Sequence, residues 1–300
     1  MKVVALAGGF GGARFARALG ETDAELTVIG NVGDDEEILG LHISPDLDSI
    51  LYALAGLGDE ERGWGRADET WNALETVQAL GGETWFQLGD RDLGLHLLRT
   101  QALGTGEPLS SITARFARAL GIDAIVLPAT DNELRTHVET PAGDFAFQEW
   151  YVGRRHEDEV TGVSYHGETQ AAPGVAEALE DADLIAIAPS NPYLSIGPIL
   201  AVDGIRKAIE ARRVPSVAVS PLIGGRTVKG PAAQMLQRFA GGTSPTHLAS
   251  AYEGLIDRLV IDESDAGGEG DHIVTRTLMS DEAARRTLAE AVLDAAAVPR

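Results

Sequence analysis

The stretch VVALAGGFGGARFARAL, residues 3–19, decides the fold class. An apolar run at residues 3–7 is followed by the glycine-rich residues 8–12 (GGFGG) and then by a helical segment. A second apolar run occupies residues 26–29 and ends at Asn31. Continuous apolar runs are typical of strands buried on both faces of a parallel sheet, and the spacing suits a right-handed crossover. The segment therefore predicts a strand, a glycine loop, a helix and a second parallel strand.

Similar apolar runs recur along the chain, and each lies next to a helical pattern. Alternation of this kind predicts an α/β fold with a mainly parallel sheet. The further runs lie at residues 124–127, 184–188 and 217–219. Near the end of the chain an amphipathic helix is expected at residues 280–297, with Ser280 as its N-cap.

Residues 132–166 interrupt this alternation. The turn-forming sequence PAGD at residues 141–144 predicts an antiparallel hairpin, with Phe145 and Phe147 on one of its faces. Neither an internal repeat nor a long linker divides the chain. We therefore expect a single domain over residues 1–300, with the hairpin region inserted at about residues 132–166.

The composition is ordinary for a globular protein apart from its charge. The 24 basic and 46 acidic residues give a formal net charge of −22, which repels polynucleotides and anionic lipid surfaces. We therefore expect neither a nucleic-acid nor a membrane partner. The chain has no cysteine, which excludes thiolate nucleophiles, iron–sulfur clusters and disulfides. The first apolar run is too short for a signal peptide, so a cytoplasmic location is expected.

The glycines that follow the first strand are candidates for phosphate binding, because glycine lets N–H groups at a helix N-terminus approach a phosphate. The segment departs from the dinucleotide fingerprint. Arg14 stands where the third glycine is expected, and Asn31 replaces the ribose-binding acid. A tight strand-to-helix turn without a ligand is the alternative. The candidate phosphate-binding residues are Gly8, Gly9, Gly11 and Gly12.

Three pairs of aspartates close predicted strand-to-helix turns. Such turns gather at the carboxyl edge of a parallel sheet, where ligands bind. Paired carboxylates near a phosphate suggest Mg²⁺, which proteins hold with one or two carboxylates plus substrate phosphates. Helix capping is the alternative for each pair. The pairs are Asp34 and Asp35, Asp46 and Asp48, and Asp90 and Asp92.

The middle pair poses a geometric question. Asp46 and Asp48 follow Ser44 and Pro45, which are typical of the N-cap and first turn of a helix. At 3.6 residues per turn, Asp48 lies about 200° around the helix axis from Asp46. A regular helix therefore cannot turn both carboxylates to one metal ion. Either the first turn is distorted, or one aspartate faces the site and the other serves the helix.

Two further groups complete the candidate substrate-binding residues. One group follows the predicted strands at residues 184–188 and 217–219, and the other consists of two histidines. The hydroxyl and amide side chains can hydrogen-bond a base or a phosphate, and the glycines offer N–H groups beside a lysine. Loop punctuation by proline and glycine is the alternative for these segments. The residues are Ser190, Asn191, Gly224, Gly225 and Lys229, together with His42 and His96.

Taken together, the motifs resemble the 2-phospho-L-lactate transferase family, which acts in biosynthesis of the deazaflavin coenzyme F-420. RGWGRADETW and LPATD resemble its actinobacterial branch in particular. The resemblance rests on GGFGGARF, NVGDD, HISPDLDSILYALAG, RGWGRADETW, WFQLGDRDLGLHLLRT, LPATDNELRTHV, FQEWYV, IAPSNPYLSIGPILAVDGIR and SPLIGG-x₃-KG, in this order.

This resemblance implies a Rossmann-like three-layer α/β/α fold, a homodimer and a requirement for Mg²⁺. It also implies transfer of a phospholactyl or phosphoenolpyruvyl group from a guanosine-diphosphate-linked donor to the 5′-hydroxyl of Fo, a deazaflavin with a ribityl chain, with release of GMP. The three-carbon acid of the donor stays open. The alternatives are a non-catalytic nucleotide-sugar-binding regulator of the same superfamily and a nicotinamide-dependent oxidoreductase.

The resemblance further implies roles for individual residues. Catalysis is expected from Asp34, Asp46 and Asp48, and the same three carboxylates are expected to hold the Mg²⁺. Which of them binds metal and which acts as a base stays open. The residues expected to bind substrate are Gly8, Gly9, Gly11, Gly12, Arg14, Asn31, Asp35, His42, Asp90, Arg91, Asp92, His96, Ser190, Asn191, Gly224, Gly225 and Lys229.

Overall fold

The computed structural model describes residues 1–267 and 270–297. In this part of the chain the strands are β1 (Lys2–Ala7), β2 (Glu25–Gly30), β3 (Glu36–Ile38), β4 (Leu41–Ile43), β5 (Ile125–Pro128), β6 (Arg135–Thr140), β7 (Gly143–Ala146), β8 (Gly162–His166), β9 (Leu184–Ile187), β10 (Ser216–Val219), β11 (Leu222–Ile223), β12 (Arg226–Thr227), β13 (Arg258–Asp262) and β14 (Ile273–Thr275). The α-helices are α1 (Gly9–Gly20), α2 (Pro45–Leu54), α3 (Asn72–Ala79), α4 (Asp90–Gly104), α5 (Leu109–Ala119), α6 (Val175–Asp181), α7 (Gly197–Ala201), α8 (Ile205–Glu210), α9 (Ala232–Phe239), α10 (Pro245–Ala251) and α11 (Glu282–Ala297). None of these described helices is both long and apolar enough to cross a membrane.

Seven of the strands form one parallel sheet in the order β14-β13-β10-β9-β1-β2-β5. β1 lies inside it, where Val3 pairs with Leu26 of β2 on one side and with Leu184 of β9 on the other. Every residue of β9 and β10 is buried. Burial on both faces explains why these strands are continuous apolar runs. The predicted α/β fold with a mainly parallel sheet is confirmed.

Two groups of helices pack against this sheet. α1 contacts α2 and α11, whereas α6 contacts α8 and lies against β1. The chain runs outward from β1 to β2 and β5, and then returns past β1 to β9 and β10. Because right-handed crossovers in opposite directions lie on opposite faces, the two groups cover the two faces of the sheet. This is the three-layer arrangement expected of a Rossmann-like fold.

A three-stranded antiparallel sheet, with order β7-β6-β8, contains the predicted hairpin. Thr140 pairs with Gly143 across the turn, and β8 adds a third strand that the sequence did not predict. The Thr136 N–H donates to the carbonyl oxygen of Gly33 (2.6 Å), which ties this sheet to the loop after β2. It encloses a small core of its own, formed by Val138, Trp150, Val160, Leu194 and Met235.

Two helix starts differ from the sequence predictions. α1 begins at Gly9, so most of the expected glycine loop forms the first turns of the helix. α11 begins at Glu282, and the Asp281 carboxylate accepts a hydrogen bond from the Ala284 N–H (2.9 Å). Asp281 therefore caps this helix in place of Ser280, because its carboxylate reaches the N–H three residues on.

Candidate active site

A cavity of about 830 Å³ opens at the carboxyl edge of the parallel sheet. Residues that follow β1, β9 and β10 line it, together with the first turns of α1 and α2. The predicted site residues in its wall are Gly8, Gly9, Gly11, Arg14, Asp34, Asp46, Asp48, Asp92, His96, Ser190, Asn191 and Lys229. The predicted residues outside its wall are Gly12, Asn31, Asp35, His42, Asp90, Arg91, Gly224 and Gly225.

The centre of the cavity wall is a pair of carboxylates that share one amide. Asn31 stands directly after β2, and its Nδ2 donates to Asp34 Oδ1 (2.5 Å) and to Asp46 Oδ2 (2.9 Å). The Asn31 Oδ1 accepts from the Gly33 N–H (2.7 Å), which fixes the orientation of the amide. The asparagine that replaces a ribose-binding acid therefore joins the loop after β2 to the first turn of α2. We call Asn31, Asp34 and Asp46 the carboxylate centre.

Burial gives both carboxylates unusual proton affinity. It raises the pKa of Asp46 to about 6, although hydrogen bonds from Asn31 and from the Gly9 backbone oppose the shift. Burial also raises the pKa of Asp34, and the neighbouring Asp46 and Asp35 raise it further. Two buried carboxylates that share one neutral amide need a proton or a cation to offset their charge.

This donor set fits a hard divalent cation. Two carboxylates plus substrate phosphates are the ligands with which proteins commonly hold Mg²⁺. Across residues 1–267 and 270–297, however, no group of three or more acidic, histidine or cysteine side chains is arranged to hold a metal ion. The predicted trio of Asp34, Asp46 and Asp48 is therefore not brought together.

Asp48 has a different partner, Arg99 of α4. Both Nη atoms of the guanidinium bind the carboxylate, with Nη1 3.1 Å from Asp48 Oδ2. His96 Nδ1 lies 3.5 Å from the same oxygen, and burial lowers the pKa of His96 to about 4, so this imidazole is neutral at physiological pH. In α2, then, Asp46 faces the carboxylate centre and Asp48 faces α4. The first turn needs no distortion, and Asp48 forms an ion pair instead of serving its own helix.

Asp35 and His42 lie behind the cavity wall, in contact with each other. Asp35 Oδ2 accepts a hydrogen bond from Ser44 Oγ (2.7 Å) and lies 3.0 Å from His42 Nε2. The Ser44 hydroxyl therefore hydrogen-bonds Asp35 and makes no side-chain cap for α2. The two side chains contact each other, and their contact with a substrate stays a prediction.

In the third aspartate pair, Asp90 has a structural role and Asp92 lines the cavity. The Asp90 carboxylate accepts from Thr70 Oγ1 (2.6 Å), from the Ala73 N–H (3.0 Å) and from Asn72. It therefore caps α3, so the capping alternative describes Asp90, although the helix it caps is not its own. Asp92 lines the cavity, accepts from the Tyr52 hydroxyl (2.8 Å), and has a pKa that burial raises to about 6. The neighbouring Arg91 is exposed and lies outside the cavity.

The glycines of α1 permit close approach to the strand ends. A Cβ at Gly8 would stand 2.7 Å from Asp46 Oδ2, and a Cβ at Gly11 would stand 2.7 Å from the Pro189 carbonyl oxygen. Gly8 also gives α1 no side-chain cap, and the N–H groups of a first helical turn have no partner within the helix. The Gly9 backbone hydrogen-bonds Asp46, and Gly9 and Gly11 line the cavity. This is the geometry with which helix N-termini bind phosphate.

Ser190 and Asn191 follow β9 and face α1 across the cavity. Ser190 Oγ donates to the Gly8 carbonyl oxygen (2.7 Å). Asn191 Oδ1 accepts from the N–H groups of Tyr193 (2.9 Å) and Leu194 (3.3 Å), which caps the short π-helical turn after it. Both residues line the cavity as predicted, and both already have internal partners.

Gly224 and Gly225 are turned away from the cavity. Their N–H groups donate to the two carboxylate oxygens of Asp265, at 3.0 and 2.7 Å. Asp265 comes from the short 3₁₀ turn after β13, a segment distant in sequence. In this arrangement the N–H groups of the two glycines bind a carboxylate of the chain itself, and their contact with a nucleotide stays a prediction.

Two basic side chains line the cavity on the α1 side. The Arg14 guanidinium and the Lys229 ammonium each lie 5.3 Å from the centre of the Phe10 ring. Lys229 Nζ also donates to the Arg62 carbonyl oxygen (3.1 Å), which joins the segments on two sides of the cavity. In a strongly acidic protein, these cations are placed where an anionic ligand would enter.

Comparison with known proteins identifies the family of this chain. Residues 3–287 match the model of the family described as 2-phospho-L-lactate transferase CofD. The chain belongs to this family. A phosphoenolpyruvate transferase of Streptomyces griseus is 45% identical over 277 residues, which cover 89% of this chain and 87% of the relative. Another, from Thermobifida fusca, is 41% identical over 317 residues, which cover 99% and 98%. A third, from Mycolicibacterium smegmatis, is 39% identical over 325 residues, which cover 99% of each.

The fold is shared more widely than the sequence. A crystal structure of a UPF0052 family member from Bacillus halodurans superimposes on this chain with a TM-score of 0.65. It covers 98% of this chain and 100% of its own, at 19% sequence identity. At that identity the likeness establishes the α/β fold alone.

The CofD-family chain also has cavity residues that sequence reasoning did not single out. Six aromatic side chains line the same cavity as Asp34 and Asp46, and we call them the aromatic wall: Phe10, Trp64, Trp85, Phe86, Phe147 and Tyr151. Trp64 and Trp85 are 41% and 38% exposed, so their rings are accessible from the cavity. The motifs GGFGGARF, RGWGRADETW, WFQLGDRDLGLHLLRT and FQEWYV contain these residues, but aromatic residues in a sequence are more often core.

Gln148 is a second residue that was missed. Its side chain is buried, and its Nε2 donates to the Asp34 carbonyl oxygen (3.1 Å). Gln148 follows β7, so the antiparallel sheet supports the loop that carries Asp34. A single glutamine between Phe147 and Glu149 gives no sequence signal for a contact with the loop after β2.

Proposed function

We propose that the protein is a phosphoenolpyruvate transferase of F-420 biosynthesis. It moves a phosphoenolpyruvyl group from a guanosine-diphosphate-linked donor to the 5′-hydroxyl of Fo and releases GMP. The observation that carries this assignment is that one cavity is lined by Asp34 and Asp46 of the carboxylate centre, by the N-terminus of α1 and by the aromatic wall. The helix N-terminus suits a diphosphate, and the aromatic side chains suit a flat deazaflavin ring.

The reaction is attack of a hydroxyl oxygen on phosphorus. The bond from the Fo 5′-oxygen to the phosphorus next to the three-carbon acid forms, and the bond from that phosphorus to the bridging oxygen breaks. The bridging oxygen leaves with GMP, and the hydroxyl proton passes to a carboxylate oxygen of the Asp34–Asp46 pair. Catalysis of such a transfer consists mainly of positioning and of charge neutralisation.

We assign Mg²⁺ to Asp34 and Asp46, since these two buried carboxylates meet at the Asn31 amide and both line the cavity. When bound, the ion supplies neutralisation of phosphate charge. The chain's own residues orient the reactants: α1 N–H groups hold phosphate oxygens, Asn31 fixes the two carboxylates, and Arg14 and Lys229 attract the anionic donor.

The donor acid is assigned as enolpyruvate because relatives from three actinobacterial genera, at 39%, 41% and 45% identity, are named phosphoenolpyruvate transferases. The lactyl and glyceryl donors differ by a methyl in place of the methylene or by an added hydroxyl, differences that a pocket reads by shape. We further propose a cytoplasmic homodimer, as the family resemblance implies. Sedimentation of the purified protein tests the dimer.

The function is tested by mass spectrometry of products. The protein is incubated with Fo, Mg²⁺ and, in turn, the enolpyruvyl, lactyl and glyceryl donors. We expect GMP and the modified Fo in equal amounts, fastest with the enolpyruvyl donor. Faster reaction with the lactyl donor reassigns the acid. Tight binding of the nucleotide without GMP release from any donor would instead support the regulator.

A further inference from the structure

Arg99 is a buried cation that the mechanism above does not use. It lies on α4, outside the cavity wall, and only 1% of its surface is exposed. Its guanidinium binds both carboxylate oxygens of Asp48, and Nη1 also lies 3.5 Å from the His42 carbonyl oxygen. A buried charge is expensive unless it is paired in good geometry. We therefore ask what the Arg99–Asp48 ion pair does besides stabilising the fold.

The ion pair holds the turn of the chain that carries Asp46. Asp48 is two residues after Asp46 in the first turn of α2, and the two side chains point to different sides of the helix. The N-cap residue of α2 makes no side-chain cap, and Pro45 has no N–H to donate. The two carboxylates are thus the side-chain anchors of this turn, one on Asn31 and one on Arg99.

The charges around this turn give the second anchor a further role. Asp34, Asp35, Asp46 and Asp48 are all buried, and Asp35 interacts electrostatically with both Asp34 and Asp46. Like charges repel more strongly in a medium of low dielectric constant. The neighbouring His96 is neutral at physiological pH. Arg99 neutralises Asp48, and its fork geometry restrains the rotation of α2 about its axis, which a point charge would not.

We propose that Arg99 is a positioning residue for the transfer reaction. By binding both oxygens of Asp48 it fixes the first turn of α2 and so places the Asp46 carboxylate against Asn31 and Asp34. The proposal rests on the transferase function proposed above. It gives Asp48 an indirect role through Arg99, in place of direct contact with the metal.

The test compares Arg99→Lys and Arg99→Met with a matched control. Arg115→Met removes another arginine that lies over the same Phe116 ring, at 5.2 Å against 5.9 Å for Arg99, but that pairs with Glu107 instead of Asp48. For each variant we measure thermal unfolding, kcat, KM for Fo and for the donor, and the crystal structure. Arg99→Lys keeps a positive charge beside Asp48, so it carries the test if Arg99→Met does not fold.

We expect kcat to fall about 10-fold in Arg99→Lys and about 100-fold in Arg99→Met, because a misplacement of about 1 Å costs that much. KM for both substrates should change by less than about threefold, since Arg99 touches neither substrate, and Arg115→Met should match the wild type. In the Arg99→Lys crystal the 2.9 Å contact between Asn31 Nδ2 and Asp46 Oδ2 should lengthen.

Two results overturn the proposal: a kcat in folded Arg99→Lys equal to that of the wild type, or an Asn31–Asp46 contact unmoved in its crystal structure. Failure of the wild-type protein to modify Fo is a different result, because it removes the proposed function. The crystal structure of Arg99→Lys then still decides whether Arg99 places Asp46.

Discussion

Two Gly-Gly pairs in this chain have different surroundings: one lies beside the cavity, and the other binds a carboxylate of the chain itself. Gly11 and Gly12 lie in the first turns of α1, where Gly11 lines the cavity, whereas Gly224 and Gly225 donate both N–H groups to Asp265. The first pair comes after β1 of the parallel sheet, and the second comes after β11 of a two-stranded antiparallel sheet. A glycine pair therefore makes backbone N–H groups accessible, but the rest of the chain decides whether a ligand or an internal carboxylate takes them.

The same contrast applies to the aspartates. Asp265 and Asp90 are half-buried and bind N–H or hydroxyl donors of turns and helix ends. Asp34 and Asp46 are buried beside each other and share the Asn31 amide. A half-buried carboxylate with its own donors is a structural cap, whereas two buried carboxylates on one neutral amide need a cation or a proton. Burial beside a second carboxylate thus separates the two classes.

Removal of the divalent cation should have the largest effect. EDTA should abolish transfer to Fo and added Mg²⁺ should restore it, because Asp34 and Asp46 leave a negative charge that the protein does not offset. The assay is GMP release with and without chelator. Full turnover in chelated, metal-free buffer would remove the metal from the mechanism and make the two carboxylates a proton-sharing pair.

Next in size is the effect of Asp46→Asn. Turnover should fall about 100-fold or more, as happens when one preorganised charge is lost from an active site. Thermal stability should change little, because asparagine is nearly isosteric with aspartate and burial penalises the charged carboxylate more than a neutral amide. The matched control is Asp90→Asn, which weakens the cap of α3 and should lower stability while kcat stays within about twofold. Equal turnover in both variants would place Asp46 among the structural caps.

A smaller effect is expected for Gly11→Ala. The new Cβ would stand 2.7 Å from the Pro189 carbonyl oxygen, so α1 must shift, at a cost of about 1–3 kcal/mol in stability. The affinity for GDP, measured by calorimetry, should fall about 10-fold. Gly94→Ala is the matched control, because Gly94 also lies in a helix and a Cβ there meets no atom within 4 Å. Unchanged GDP affinity in Gly11→Ala would separate the α1 N-terminus from the nucleotide.

The smallest effect is expected for Asp265→Ala. It frees the N–H groups of Gly224 and Gly225, which should lower stability by about 1 kcal/mol. The kcat should stay within about twofold of the wild type, because this turn lies outside the cavity. A loss of turnover of 10-fold or more, with stability preserved, would return these glycines to the site.

The fold was predictable because its signal is local. The five predicted apolar runs correspond to β1, β2, β5, β9 and β10, and PAGD marks the hairpin turn. The sequence did not predict β13 and β14, which complete the sheet at one edge. The predicted helix starts were less accurate. At α1 the glycines favoured a loop although they form the first turns of the helix. At α11 Ser280 and Asp281 are both suitable N-cap residues, and Asp281 is the one that caps the helix.

The sequence predicted only part of the site, because contacts between residues far apart in sequence leave no local pattern. Residues placed by their own strand end, such as Asp34, Asp46 and Ser190, reach the cavity. Residues whose partners come from elsewhere were misplaced: Asp90 caps a helix that begins 18 residues earlier, and Asp265 closes the turn at Gly224, 41 residues before it. Arg99 was missed since an arginine in a helix usually lies at the surface.

The strand order has a consequence for how the protein is made. β1 emerges first from the ribosome and finds β2 at once, but its other neighbour, β9, begins only at Leu184. Until then the nascent chain carries an open strand edge, which invites pairing with other chains. The hydrogen bond from Ser190 to Gly8 spans 182 residues, so the pocket forms late in synthesis. Fragments that stop before β9 should therefore aggregate, and chaperones that shield strand edges should raise the yield of intact protein.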